Sequence, residues 1–162
     1  MREESIVETL YTPMLPETER IFQEAFFAGL AKGVEVVLPK SEFKTNGYCK
    51  FVGTQGAVVR WDGQLSPYYR FLHTYPEYVF GRHKLIEAHS FGSLSEQSLL
   101  EIWTTPEFMS YRYNVLNGEY PSCPDCKWVD GCDMALRTDM DCLGHAPSCG
   151  DCLWGWGITV CP

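Results

Sequence analysis

The first clear pattern of hydrophobic positions lies in residues 17–32, where apolar side chains recur three or four positions apart. This spacing predicts an amphipathic helix, with Pro16 as its start signal and Gly33 as its stop signal. The next segment, VEVVLP at residues 34–39, is rich in β-branched residues and predicts a short buried strand. One helix and one strand cannot bury their apolar faces alone. Residues 1–40 are therefore expected to form part of a larger α/β layer or to pack on the rest of the chain.

The segment GAVVRWDGQLSPYY predicts a two-stranded β-hairpin. Val58, Val59 and Trp61 favour its first strand, because β-branched and aromatic side chains suit a pleated surface. The dipeptide Asp62-Gly63 suits a type I′ turn, in which both central residues need a positive φ.

A segment dense in aromatic residues follows this hairpin. Pro67 is expected to end the second strand or to place it at an edge, since proline has no N–H to donate. The segment YYRFLHTYPEYVFGRHK, residues 68–84, is interpreted as a hydrophobic loop that packs over the hairpin.

Two short helices are predicted next. Ser95 is the expected N-cap of the first, which runs through EQSLLEIW. Thr105 is the expected N-cap of the second, with Pro106 at the first helical position. Asn117-Gly118 supplies its C-terminal stop, and the glycine-rich remainder of the chain predicts loops and short turns.

Composition narrows the functional classes. The 162 residues are 45% hydrophobic and 21% charged, which is enough apolar material for one domain with a core. The net charge of −8 repels phosphate backbones and anionic membrane surfaces, so nucleic acid and membranes are poor candidates as partners. No run of about 18 apolar residues occurs, and the acidic N-terminal sequence does not resemble a secretory signal. The expected location is the cytoplasm.

Cysteine is the residue type that points to chemistry. Of the eight cysteines, seven fall in the last 40 residues. Disulfides rarely persist in the cytoplasm, so clustered cysteines indicate metal or cluster ligands first, with disulfides and buried inert thiols as alternatives. The candidate metal and cofactor ligands are Cys49, Cys123, Cys126, Cys132, Cys142, Cys149, Cys152 and Cys161.

Two C-x-x-C pairs strengthen this interpretation. Cys123/Cys126 and Cys149/Cys152 each allow two thiolates from one turn to reach the same metal centre. Four thiolates suit either a tetrahedral zinc ion or a 4Fe–4S cluster, which spreads its ligands over a larger body. Spacing alone leaves both open, and His145 is a further candidate ligand or a neighbour of the ligands.

The order of the motifs resembles a known family. Cys49 is followed by GAVVRWDGQLSP, FGSLSEQSLLEIWTTPEF, NGEYPSCPDCKWVDGC and a late cysteine set. This order is similar to the SPASM-type C-terminal domain of radical S-adenosylmethionine enzymes. The tail CGDCLWGWGITVCP, with VVRWDG and YVFGRHK, is most similar to the maturases of tungsten-cofactor oxidoreductases such as aldehyde:ferredoxin oxidoreductase.

This resemblance implies an α+β fold. A small cysteine-rich domain with a β-hairpin, short helices and a loop-rich iron–sulfur cap would occupy residues 43–162. Residues 1–42 would be the helix–strand remnant of a barrel-like domain, and the chain would be the C-terminal portion of a longer enzyme. The resemblance places iron–sulfur ahead of zinc.

The resemblance also implies a role. The domain would hold one or two auxiliary 4Fe–4S clusters beside a radical S-adenosylmethionine barrel, supplied in cis or in trans, for electron relay or substrate docking. The expected substrate is a tungsten-containing oxidoreductase or its cofactor. The chain lacks the C-x-x-x-C-x-x-C motif of the catalytic cluster, so it should not cleave S-adenosylmethionine alone. The alternatives are a structural zinc-binding module that docks proteins and a degenerate scaffold without a cluster.

At residue level the resemblance is partial. Cys123, Cys126 and Cys132 match three ligands of the family's second auxiliary cluster. The fourth ligand is left open among Cys142, Cys149, Cys152 and Cys161.

Two positions depart from the family pattern. The cysteine expected five residues after Gly63 is Tyr68, and the one expected four residues after the cysteine triple is Leu136. Cys142 is the displaced candidate for that second position. Cys49 is therefore either the remnant of a lost cluster or a member of a rearranged one.

Overall fold

The computed structural model describes residues 16–38 and 49–155, so Pro39 of the predicted strand and Cys161 lie outside the described residues. The described residues form an α+β arrangement of short helices and two small antiparallel hairpins, as predicted. The helices are α1 (Pro16–Lys32), α2 (Lys50–Gly53), α3 (Leu99–Trp103) and α4 (Pro106–Leu116), and the strands are β1 (Val58–Val59), β2 (Leu65–Ser66), β3 (Tyr75–Val79) and β4 (Arg82–Ile86).

Helix α1 begins at Pro16 and is followed by Gly33 at a φ of 67°, which confirms the predicted start and stop. The strand predicted after it is wrong for residues 34–38, which form no regular element. This segment turns back along the helix, where the Val34 N–H donates to the Gly29 carbonyl at 2.9 Å. A strand needs a partner for its backbone groups, and the described strands pair only within the two hairpins.

The first predicted hairpin is present, because β1 pairs antiparallel with β2 in the register Val59↔Leu65. Its predicted type I′ turn is wrong: Gly63 has a φ of 83°, but Asp62 does not have a positive φ. The Asp62 carboxylate instead pairs with Arg60 and accepts the Gln64 N–H at 3.2 Å, so a side chain organises this turn.

Trp61 is also predicted wrongly, because it lies outside the strand and is 91% exposed. The second strand, in contrast, ends at Ser66, directly before Pro67, as predicted.

The aromatic segment predicted as a loop contains the second hairpin. Strands β3 and β4 pair from Tyr75↔Ile86 to Val79↔Arg82. The turn between them is Phe80-Gly81, and both residues have a positive φ, as a type I′ turn requires. The loop prediction fails because the inward-facing positions alternate between charged and apolar side chains, which hides the hydrophobic period of a strand.

The two later helices are present with one shifted cap. The N-cap of α3 is Ser98 rather than Ser95, since Ser98 forms a capping box with Glu101. Helix α4 is capped by Thr105 and begins with Pro106, as predicted.

The main core lies between these helices and the first hairpin. Phe108 of α4 is fully buried and stacks on Phe91, with 4.4 Å between the ring centroids. Two cysteines, Cys49 and Cys149, pack against this core. In the part of the chain that the structure describes, no helix has the length and apolar character needed to cross a bilayer.

Candidate metal centre

Each C-x-x-C pair forms a tight turn that places its two thiols close along the chain. The Cys126 N–H donates to the Cys123 carbonyl at 3.2 Å, and the Cys152 N–H donates to the Cys149 carbonyl at 3.1 Å. The two turns are tied together, because the Cys123 N–H donates to the carbonyl of Gly150 at 2.9 Å. Both motifs therefore belong to one compact region.

Three cysteines form an inner group, which consists of Cys49, Cys149 and Cys152. They line one small cavity beneath the core, together with Tyr68 and Tyr111. Cys49 caps α2, and its sulfur accepts the Val52 N–H at 3.5 Å. The Tyr111 hydroxyl lies 3.3 Å from the Cys149 sulfur.

The thiols of the inner group are buried, and burial disfavours their charged form. Burial raises the pKa of Cys152 to about 11, and Cys49 raises it further, whereas Arg70 lowers it. Burial also raises the pKa of Cys149 well above its usual value, with further contributions from Cys152 and Cys49. Three thiolates crowded into a buried site repel one another, and bound iron cations would relieve that repulsion. The donor set thus fits a thiolate-bound cluster.

The outer group consists of Cys123, Cys126, Cys132 and Cys142. Short turns connect its members. The Val129 N–H donates to the Cys126 carbonyl, and the Cys132 N–H donates to the Val129 carbonyl. Burial raises the pKa of the Cys123 thiol to about 11, and Cys142 and Cys132 contribute in the same direction. Cys126 and Cys142 are exposed, so this group lies nearer the surface than the inner one.

Close packing at Gly150 joins the two groups. A Cβ at this position would lie 2.9 Å from the Cys123 sulfur and 2.9 Å from both the Cγ and the carbonyl oxygen of Pro121. These separations leave no room for a side chain. Glycine is therefore required for the backbone of the second C-x-x-C pair to approach the first.

The structure places three of the four candidates for the fourth ligand, because Cys161 lies outside the described residues. Cys142 lies with Cys123 and Cys132, whereas Cys149 and Cys152 lie with Cys49. The imidazole Nδ1 of His145 lies 3.5 Å from Asp141, and His145 lines a pocket next to Cys149 of the inner group.

All seven cysteines of the described ranges are free thiols. Within the same ranges, no three His, Cys, Asp or Glu side chains converge closely enough to hold a single metal ion.

A buried ionic network lies between the two groups, and the sequence gives little sign of it. The Arg70 guanidinium donates to both carboxylate oxygens of Glu77, at 3.0 and 3.1 Å, and to Asp151 at 3.2 Å. The Lys84 ammonium lies 2.7 Å from the other Asp151 oxygen. Glu77 and Lys84 occupy inward positions of β3 and β4, and this strand alternation is the one signal that could have revealed them.

Comparison with known proteins agrees with this chemistry. Residues 49–127 match the model of the SPASM family, an iron–sulfur cluster-binding domain. The chain is 48% identical over 130 residues to a protein of Pyrococcus furiosus named "Tungsten-containing aldehyde ferredoxin oxidoreductase cofactor-modifying protein".

This match covers 80% of the chain but 36% of the relative, so the chain spans about a third of the protein that it resembles. No solved structure matches the chain. The resemblance that the motif order predicts is confirmed: residues 49–127 match the SPASM iron–sulfur cluster-binding domain, and the relative is similar to 80% of the chain.

Proposed function

We propose that this chain is the auxiliary-cluster domain of a radical S-adenosylmethionine maturase and holds two 4Fe–4S clusters, one at each cysteine group. The observation that carries the proposal is the division of seven cysteines into an inner group of three and an outer group of four. Four thiolates complete the ligand set of one such cluster.

The proposed ligands follow this division. Cys123, Cys126, Cys132 and Cys142 supply the four thiolates of the outer site. Cys49, Cys149 and Cys152 supply three at the inner site, where Tyr68 lines the cavity at the position of the family's cysteine. Cys161 is the remaining candidate for the fourth inner thiolate.

Iron suits this donor set better than zinc does. A zinc ion draws its ligands to about 2.3 Å from one point, whereas a cube of four irons keeps them farther apart. The match of residues 49–127 to an iron–sulfur cluster-binding domain supports the second arrangement. Free thiols and the absence of a disulfide among the described residues suit a reducing compartment, and we propose the cytoplasm.

Helix α1 is proposed to be the contact with a catalytic barrel, supplied in cis or in trans. Apolar side chains on it remain uncovered, among them Phe27, which is 65% exposed, and Leu30, which is 60% exposed. Exposed apolar patches of this kind mark surfaces that bury against another element. Residues 1–42 would thus form a barrel remnant, and residues 43–162 the iron–sulfur domain.

The proposed substrate is a tungsten-containing oxidoreductase or its cofactor, by analogy with the named activity of the relative. When bound, the clusters would accept and release single electrons. The chain's own residues would hold them: the thiols would ligate, the Tyr111 hydroxyl lies 3.3 Å from the Cys149 sulfur, and the core packs against the inner site. Electron relay and substrate docking are both consistent with an outer group at the surface.

Anaerobic purification of wild type and of two serine variants tests the proposal. We expect about four irons for each cluster, so wild type should hold about eight per chain. Cys123→Ser should lose the outer half of this iron, and Cys149→Ser the inner half, so each variant is the control for the other. A colourless protein with stoichiometric zinc and no absorption at about 400 nm would refute iron binding and favour the zinc module. Unchanged iron in both variants would refute the ligand assignment.

A further inference from the structure

We propose that Asp151, held between Arg70 and Lys84, is a positioning residue that sets the electrostatic environment of both cysteine groups at once. The inference rests on the proposed function, because it concerns the reduction potentials of clusters at those groups. It goes further because it assigns a role to charged side chains that are not cluster ligands.

The position of Asp151 between two cations is the first observation. Its side chain is fully buried, and one carboxylate oxygen accepts from Arg70 at 3.2 Å while the other lies 2.7 Å from Lys84. The carboxylate is therefore held in its charged form.

The second observation is that each cation faces a different cysteine group. Arg70 lines the cavity of the inner group. The Lys84 ammonium donates to the carbonyl of Ala135 at 3.1 Å, and Ala135 lies in the outer segment between Cys132 and Cys142. Asp151 contacts both cations, so these charged side chains form a continuous series from the inner cysteine group to the outer one.

Asp151 is itself next to both groups. It directly precedes Cys152 of the inner group, and it follows Gly150, whose carbonyl accepts the Cys123 N–H of the outer group at 2.9 Å. A buried negative charge beside a cluster repels the extra electron of its reduced form, and burial leaves that repulsion poorly screened.

A purely structural role for Asp151 makes a different prediction, and Glu77 offers the matched control. Glu77 is also a buried carboxylate, and it accepts two hydrogen bonds from Arg70. It lies on β3, whereas Asp151 directly precedes Cys152 in the chain. Asp151→Asn and Glu77→Gln therefore remove the same charge from the same network, but only the first removes it beside the ligands.

The test is a potentiometric titration of the whole chain, loaded anaerobically with iron and sulfide and reduced stepwise with dithionite. Iron content is measured for every variant, and the clusters are followed by electron paramagnetic resonance. In Asp151→Asn we expect the ratio of reduced to oxidised cluster at a fixed potential to rise about tenfold at both sites. For a one-electron couple this ratio corresponds to a shift of about 59 mV to more positive potential. Glu77→Gln should shift both potentials by less.

Lys84→Met is a second variant for the same titration, to be used if Asp151→Asn binds too little iron. Removal of this positive charge should lower the potential of the outer cluster, which is the opposite direction. Equal shifts in Asp151→Asn and Glu77→Gln, or shifts of the same sign in Asp151→Asn and Lys84→Met, would overturn the inference. An iron-free wild type would overturn the proposed function and this inference together, whereas a loaded wild type with unshifted variants would overturn the inference alone.

Discussion

Gly150→Ala should weaken the domain at the point where the two C-x-x-C pairs meet. The added methyl group would lie 2.9 Å from the Cys123 sulfur and 2.9 Å from the Pro121 carbonyl oxygen. Carbon contacts are optimal at about 3.5–4.0 Å, so the backbone of one segment must move. The Pro121 carbonyl oxygen belongs to the backbone and cannot rotate away from the added methyl group.

The expected cost follows from overpacking. Insertion of a methyl group into a well-packed site costs about 1–3 kcal/mol of unfolding free energy. Movement of the Gly150 segment would also lengthen the bond from the Cys123 N–H to the Gly150 carbonyl, now 2.9 Å. Loss of a hydrogen bond contributes about 1 kcal/mol more. We therefore expect a total loss of about 2–4 kcal/mol, which is a large fraction of the stability of a typical domain.

Urea unfolding of the reduced, iron-free chain measures this loss, with iron content after anaerobic loading as a second measurement. Gly131→Ala is the matched control, because Gly131 lies between Cys126 and Cys132 and a Cβ there meets no atom within 4 Å. We expect Gly131→Ala to keep wild-type stability and iron, and Gly150→Ala to lose both. If the two variants unfold at the same urea concentration and bind equal iron, the close approach at Gly150 is refuted.

Two further predictions concern the core and pH. Phe108→Ala should cost about 3–5 kcal/mol of unfolding free energy, because the ring is fully buried against Phe91. Tyr113→Ala, at a 60% exposed position of the same helix, should change stability by about 0.5 kcal/mol at most, and similar losses in both variants would contradict the assigned core. Burial lowers the pKa of His89 below 6.5, so the unfolded chain binds a proton more readily and stability should fall as pH drops below about 6.5. Thermal unfolding at several pH values should show this fall in wild type and a smaller one in His89→Gln; equal falls would refute the assignment.

Local signals explain the elements that the sequence predicts correctly. The proline start and glycine stop of α1, the cap of α4 and the strand end before Pro67 each depend on the conformational limits of a few adjacent residues. The two C-x-x-C pairs also depend on local spacing, and thiolate ligation by them stays a prediction. The order of the motifs then predicts the SPASM family, which the comparisons confirm.

Elements that depend on distant partners were predicted less well. Residues 34–38 have strand-forming side chains but no strand to pair with among the described residues. In β3, the inward-facing Glu77 interrupts the alternation of apolar side chains that would predict a strand. A propensity describes what a segment can do, whereas pairing and burial decide what it does.

Only the tertiary structure divides the cysteines and reveals the charges between them. Cys49 and Cys149 are a hundred residues apart in sequence, yet they share one cavity, and Arg70 meets Asp151 across 81 residues. The spacing of residues along a chain constrains only short-range geometry. It therefore predicts the kind of ligand but not which cysteines lie together in the fold. The partition into inner and outer groups, and the ionic network that joins them, follow from how the hairpins, helices and loops pack, because burial is what brings these side chains together and makes their charges matter.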